Sequence, residues 1–242
     1  MPPSLRFFAL TIAALCIFLG TCSEPPPLTE QIQYRGTLRV ITRNSPVTYY
    51  IGPGGPMGPE YELARDFADG LGVRLELMVA DSIEDIVPAV ESGQADIAAA
   101  GLAITAGRGQ QVAFGPTYDE VSEHLIYKLN TGRPRTLDDV VGARLEVAAG
   151  SNHAETLERL RDTHPDLVWI ENPVAENEEL LVAVSSGEID YTLADSNEFA
   201  VSQLFHPELR IALDLEKDRR LAWAFVKQRD QSLVAAARRY FD

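Results

Sequence analysis

Apolar and polar positions follow two periods along the chain. Short runs rich in β-branched and aliphatic residues predict strands, and amphipathic runs with apolar residues at i, i+3 and i+4 predict helices. The alternation of the two predicts an α/β protein. The predicted strands cover 37–42, 74–79, 96–100, 124–128, 144–148, 168–171, 190–194, 210–213 and 222–226. The predicted helices begin at Glu60, Ile83, Ser151, Glu176, Asn197 and Gln231.

A weak internal repeat relates two segments about 94 residues apart, 89–101 and 183–195. In each, Ala-Val is followed by Ser-Gly, and after two intervening residues an Asp begins an apolar run. Such helix-to-strand units predict two lobes of similar build, although one α/β sheet can also contain both units. Because ligands of open α/β sheets bind beyond the carboxyl ends of strands, two facing lobes would bring Gly101 and Asp195 to one cleft.

The first 22 residues are typical of an export signal. Arg6 precedes an apolar run over 7–19 that is short for a membrane span. The run ends at Cys22 in a pattern similar to a bacterial lipobox, so we expect lipidation there, with simple cleavage or an uncleaved anchor as the alternatives. Ser23, in place of Asp, favours the outer membrane. The sequence thus predicts a periplasmic protein held to a membrane by its N-terminus.

Composition and charge exclude several functions. The net charge is −15 and no cluster of Lys and Arg is present, which argues against a nucleic-acid partner. The four histidines have no metal-ligand spacing, and neither a phosphate loop nor a nucleophile elbow occurs. We therefore expect no metal, no cofactor and no catalytic residue in this chain.

Several motifs resemble one family. Gly-Leu-Ala-Ile-Thr-Ala-Gly-Arg over 101–108 is similar to the carboxylate-binding segment of the extracellular solute-binding proteins of family 3, and 58–64 and 114–118 are similar to its flanking motifs. The resemblance implies a two-lobed periplasmic-binding-protein fold of type II that binds an amino acid or a similar small polar ligand.

The resemblance also implies an organisation into segments. We expect the export segment over 1–22 and a linker over 23–35. Lobe 1 is then formed by 36–127 together with 222–242, and lobe 2 by 128–221.

The expected ligand site combines the family's motifs with polar residues that follow predicted strands. The planar guanidinium of Arg108 suits a ligand carboxylate, with Thr105 as a second donor. Asp195 would accept from a ligand ammonium or cap the next helix, and Ser151 would present a helix N-terminus to the ligand or serve only as a cap. The further candidates supply walls and polar contacts, with core packing as the alternative for the aromatic ones: Gly101, Asn44, Tyr49 and Tyr118.

A narrower resemblance concerns the N-terminal solute-binding module of the membrane-bound lytic murein transglycosylase F family. It rests on 38–46, 150–155, 195–198 and 221–224 in that order. It implies a regulatory module that binds a small peptide, muropeptide or amino acid, while a separate catalytic domain acts on peptidoglycan. No Ala-Tyr-Asn segment occurs here, and the Glu-Ser pair at 91–92 belongs to the internal repeat and not to the catalytic segment of such a domain, so we expect catalysis outside this chain. The alternative is a free-standing lipoprotein that delivers amino acids to an ABC transporter.

Overall fold

The computed structural model describes residues 25–242, so the predicted export segment and Cys22 lie outside the described residues. The strands are β1 (Thr37–Thr42), β2 (Tyr50–Gly52), β3 (Gly55–Met57), β4 (Arg74–Val79), β5 (Ile97–Ala98), β6 (Val112–Lys128), β7 (Glu146–Ala148), β8 (Ile170–Asn172), β9 (Tyr191–Asp195) and β10 (Leu209–Val226). The helices are α1 (Leu28–Arg35), α2 (Pro59–Gly70), α3 (Ile86–Glu91), α4 (Arg108–Gln111), α5 (Asn152–Arg161), α6 (Asn177–Ser186), α7 (Ser196–Phe205) and α8 (Ser232–Phe241). Within the described range, none of the helices has the length and apolar character needed to cross a membrane.

Two long antiparallel strands connect the two halves of the molecule. β6 and β10 pair from Val112 with Val226 to Lys128 with Leu209. At one end β10 pairs with β5, which continues to β1 and β4, and at the other end residues 123–127 of β6 pair with β9. The two-lobed α/β fold is therefore confirmed. We call the half with β1, β4 and β5 lobe 1, and the half with β7, β8 and β9 lobe 2.

The predicted lobe boundaries, 127/128 and 221/222, fall inside β6 and β10, and they stay predictions. The sequence analysis expected short strands here, whereas each strand is continuous across both lobes. The strand was not predicted over 214–220 because this segment is polar. Two register shifts interrupt its pairing with β6, so apolar and polar residues do not alternate regularly.

The internal repeat forms the same structure in both lobes. α3 is followed by Gly93 with φ +73°, and α6 by Gly187 with φ +87°, a conformation that glycine adopts without steric cost. The repeated aspartates also have matching roles. Asp96 accepts the backbone N–H of Arg39 at 2.9 Å, and Asp190 accepts that of Arg144 at 2.8 Å. Each carboxylate thus ties the loop after a helix to a neighbouring chain segment.

Residues 28–35 form helix α1, within the segment that the sequence analysis expected as a linker. Ile32 is fully buried in the core of lobe 1 beside Leu38, and the backbone N–H of Thr29 donates to the Ser232 hydroxyl at 3.2 Å. Gly36, at φ +75°, ends the helix. The helix was missed because one buried apolar side chain leaves almost no periodic signal in eight residues.

Candidate ligand-binding site

The site lies between the lobes, where buried charged side chains follow the carboxyl ends of strands. Arg43 comes directly after β1, Asp195 ends β9, and Ser151 precedes α5. Arg108, at the start of α4, completes the set from lobe 1. All four residues are at least nine-tenths buried, which for the three charged ones, Arg43, Arg108 and Asp195, is unusual without a specific role.

Arg108 is a buried cation without an ion pair. Its guanidinium donates to the carbonyl oxygens of Ala103 and Gly150, both at 3.2 Å, so it bridges lobe 1 and lobe 2. Among the described residues, no carboxylate oxygen lies within 4.0 Å of its nitrogens. Burial lowers the pKa of Arg108 to about 10, which still leaves it charged at neutral pH. A carboxylate brought by a ligand would therefore compensate this charge.

Asp195 shows the opposite imbalance. Asp195 is the N-cap of α7, where it forms a capping box with Glu198, so the alternative role is present. Its Oδ2 accepts from the Asn152 amide at 3.4 Å, and Oδ1 has no hydrogen-bond partner among the described residues. Burial raises the pKa of Asp195 to about 6 despite the nearby charge of His153. An ammonium group bound at this oxygen would satisfy it and favour the ionised carboxylate.

Three other predicted residues already have partners within the protein. The Thr105 hydroxyl donates to Glu155 across the lobes at 3.0 Å. The Ser151 hydroxyl accepts from the Ala154 backbone N–H at 3.3 Å, so it caps α5. The Gly101 N–H donates to Glu60 at 2.8 Å. Thr105 and Gly101 can donate to a ligand only if these hydrogen bonds are exchanged, whereas the O–H of Ser151 can still donate.

The remaining predicted residues form no hydrogen bond with the Arg108 or Asp195 side chains in the described part of the chain. Tyr118 donates to buried Glu60 and stacks on Phe241, with ring centroids 5.5 Å apart. Tyr49 packs edge-on against Tyr61 at 5.9 Å. Asn44 is exposed. Their proposed contacts with a ligand stay predictions.

Arg43 anchors an ion-pair cluster that the sequence analysis did not predict. It pairs with Glu198 of α7, and it also lies 3.4 Å from Glu176 and 3.7 Å from Glu178 of lobe 2. Burial opposes its charge, but the three carboxylates outweigh that effect and raise its pKa. Burial would likewise raise the pKa of Glu198, yet Arg43 and His153 lower it to about 2. This charge pair therefore stays ionised at neutral pH.

His153 extends this cluster into lobe 2. The structure buries it fully, with Nδ1 2.5 Å from Glu123 and Nε2 3.8 Å from Glu198. Burial disfavours its charge, but hydrogen bonds to both glutamates prevail and raise the pKa of His153 to about 10. Arg219 donates to Glu123 at 2.7 Å. An imidazolium and a guanidinium thus share one buried carboxylate.

Comparison with known proteins identifies the family. A family model of bacterial extracellular solute-binding proteins, family 3, matches residues 38–242. The chain belongs to this family. The resemblance inferred from the motif at 101–108 is thereby confirmed.

Two relatives of the chain are named as membrane-bound lytic murein transglycosylases. The chain is 44% identical to membrane-bound lytic murein transglycosylase F 1 of Alkalilimnicola ehrlichii, over 90% of the chain and 45% of the relative. It is 40% identical to membrane-bound lytic murein transglycosylase F of Pseudomonas fluorescens, over 96% of the chain and 48% of the relative. The chain therefore spans about half the length of the curated relatives it matches.

Solved structures with the same fold include amino-acid-binding proteins. An arginine-bound ArgBP variant from T. maritima superposes with a TM-score of 0.77 at 20% identity, covering 88% of this chain and 98% of that one, which shows the fold alone. An amino acid ABC transporter substrate-binding protein of Streptococcus pneumoniae, bound to L-arginine, gives 0.76 at 26% identity, covering 88% and 90%.

In this family-3 protein, three side chains could in principle hold a metal. Glu123, His153 and Asp195 offer ligand atoms within 4.8 Å of one another. However, a metal requires neutral imidazole, and the pKa of His153 is about 10. Arg219 already neutralises Glu123 at 2.7 Å. The cluster therefore fits an internal network of ion pairs better than a metal site.

The sequence contained a signal for the residues that were missed. Arg43 follows β1, and His153 and Glu198 lie in the first turns of α5 and α7, each directly after a strand end or a glycine turn. The rule that ligands bind beyond the carboxyl ends of strands led to Gly101 and Asp195, and it applies equally to Arg43. Arg219 and Glu123 lie inside long strands, and no sequence pattern marks them as partners.

Proposed function

We propose that the chain is the ligand-binding regulatory module of a peptidoglycan lytic transglycosylase. In this proposal, a cell-wall peptide or amino-acid-like ligand binds between the lobes, and catalysis belongs to a domain outside this chain. The observation that carries it is the pair of unsatisfied opposite charges, Arg108 and Asp195, which complement a zwitterion. The names of the relatives support the peptidoglycan context.

The geometry suggests how the ligand would act. Its carboxylate would pair with Arg108 and its ammonium with the unpartnered oxygen of Asp195. Arg108 already touches Gly150 of the opposite lobe, so ligand bound there favours the arrangement in which the lobes meet. A ligand that prefers one arrangement shifts the population toward it, and a neighbouring catalytic domain that responds to lobe closure would be regulated. Periplasmic location and an outer-membrane anchor at Cys22 complete the proposal.

Calorimetry with amino acids and cell-wall stem peptides tests this site. We expect wild type to bind at least one of them, and Arg108→Met to weaken that binding by about a hundredfold, because a charge-assisted ion pair is lost. Arg74→Met is the matched control, since Arg74 is exposed on β4 and makes no side-chain hydrogen bond within the described part of the chain. Equal affinity in wild type and Arg108→Met would refute the assignment, as would no binding at all.

A second candidate function is supported by the 26% identity to the amino acid ABC transporter substrate-binding protein. The chain would then deliver its ligand to a permease. The two functions differ in one measurement, the effect of ligand on glycan-strand cleavage by the full-length protein that contains this module. A ligand-dependent rate favours regulation. A ligand-independent rate together with ligand-dependent binding to a permease favours transport.

A further inference from the structure

A second concave surface lies where the loop after β1 meets α6 and α7. Pro46 and Val47 of lobe 1 form one wall, and Val182, Val201 and Phe205 of lobe 2 form the other. The recess is open to solvent and spans about 450 Å³, a volume that includes part of the solvent at its mouth. Its lining includes neither Arg108 nor Asp195, and it adjoins the Arg43 end of the site described above through Glu198.

The polar part of the recess is mainly acidic. Glu178 and Glu198 contribute to its lining together with Ser202 and His206, and Glu176 belongs to the same carboxylate cluster. Arg43 faces all three carboxylates, and His153 contacts Glu198 but lies closer to Glu123, which it shares with Arg219. Counted together, the four glutamates exceed Arg43, His153 and Arg219 by one charge, so the recess borders a cluster with surplus negative charge.

Glu178 carries the least satisfied of these carboxylates. Ser45 donates to Oε1 of Glu178. Oε2 is buried, has no hydrogen-bond donor among the described residues, and lies 3.7 Å from the nearest Arg43 nitrogen. Burial raises the pKa of Glu178, as expected for a carboxylate that lacks a strong donor.

We propose that this recess binds a primary alkylammonium chain, such as the side chain of lysine or of a diamino acid. Its methylene groups would pack on the valines and Phe205, and its ammonium would donate to Oε2 of Glu178 once the carboxylate turns toward the recess. An anion is disfavoured by the surplus negative charge, and a purely apolar group would leave Glu178 unsatisfied. Since both lobes build the recess, its occupant also favours their closed arrangement.

The test uses Nα-acetyl-L-lysine methylamide, whose blocked backbone has neither the ammonium nor the carboxylate that Arg108 and Asp195 would bind. Nα-acetyl-L-norleucine methylamide is the uncharged comparison. Methyl NMR of the valines reports the location and the affinity. We expect shifts at Val182 and Val201, with the lysine compound binding about tenfold more tightly than the norleucine compound, because only its ammonium can donate to Glu178.

Four variants sharpen the test. Glu178→Gln keeps the shape and should remove the tenfold preference for the lysine compound. Val182→Trp, at an exposed position of α6, should fill the recess and abolish binding of both compounds. Glu91→Gln, which removes an exposed charge at the end of α3, should change nothing. Arg108→Met should keep the tenfold preference for the lysine compound, which separates the recess from the proposed ligand site.

The proposal is overturned if the lysine compound does not bind, if both compounds bind equally well to wild type, or if Glu178→Gln retains the preference. Shifts confined to residues around Arg108 would also overturn it.

Discussion

Two buried arginines of lobe 1 face lobe 2, and they are in opposite electrostatic situations. Arg43 meets three glutamates, which raise its pKa even though it is buried. Arg108 meets only carbonyl oxygens, and burial lowers its pKa to about 10. The chain itself compensates one charge and leaves the other to be compensated. The Arg43 end therefore holds the lobes together, and the Arg108 end is suited to an external carboxylate.

The contrast has a physical basis in desolvation. A buried charge loses its hydration, and only a close counter-charge with good geometry restores that energy. Glu198 supplies such a counter-charge to Arg43. Glu155 attracts Arg108 electrostatically, but its carboxylate accepts the Thr105 hydroxyl instead.

The largest expected effect comes from removing the compensated arginine. Arg43→Met keeps most of the side-chain volume but leaves the fully buried Glu198 without its guanidinium. We expect a loss of about 3–5 kcal/mol in the free energy of unfolding, measured by urea denaturation without ligand.

Arg108→Met is the matched comparison for that experiment. No ion pair is broken, and removing an uncompensated buried charge offsets the loss of two hydrogen bonds to carbonyl oxygens. We therefore expect its loss to stay below about 1.5 kcal/mol. Equal losses of unfolding free energy in Arg43→Met and Arg108→Met would contradict the conclusion that the chain compensates only the charge of Arg43.

An intermediate effect is expected from pH at His153. Its folded-state pKa of about 10 lies above the ordinary 6.5. Its protonation therefore stabilises the fold fully below pH 6.5, and that contribution is lost as the pH rises through 10. The stability advantage of wild type over His153→Gln should be a few kcal/mol near pH 6.5 and should shrink toward pH 10.

Urea denaturation of both proteins at several pH values measures that difference. His164→Gln provides the control, since His164 follows the end of α5, is half-buried and forms no ion pair in the described structure. A difference between wild type and His153→Gln that does not vary with pH would show that the buried imidazole is not protonated.

The smallest effect should come from the hydrogen bond between Thr105 and Glu155. Thr105→Val preserves shape and removes one bond between the lobes, so we expect a loss of about 1 kcal/mol. Thr117→Val, at an exposed position of β6, should stay within about 0.5 kcal/mol of wild type in the same urea titration. A similar loss of unfolding free energy in Thr105→Val and Thr117→Val would show that the hydrogen bond between Thr105 and Glu155 does not stabilise the fold.

Much of the fold was predictable because it rests on local signals. The helix, glycine and strand units around Gly93 and Gly187 were recognised from spacing alone, and they formed one in each lobe. α1 was not predicted, because Ile32 is its single buried position. The long central strands were not predicted either, because the segment 214–220 of β10 is polar. Of the expected site, Arg108 and Asp195 are both buried between the lobes.

By itself, then, the sequence determined the α/β alternation, the doubled lobe and the family, because periodicity and motifs are properties of neighbouring residues. Only the tertiary structure decided which charges compensate each other. Arg43 and Glu198 are separated by more than half of the chain, yet they form a buried pair. The energy of a charge depends on burial and on distances between remote residues, so no local pattern could show that Arg43 is paired and Arg108 is not.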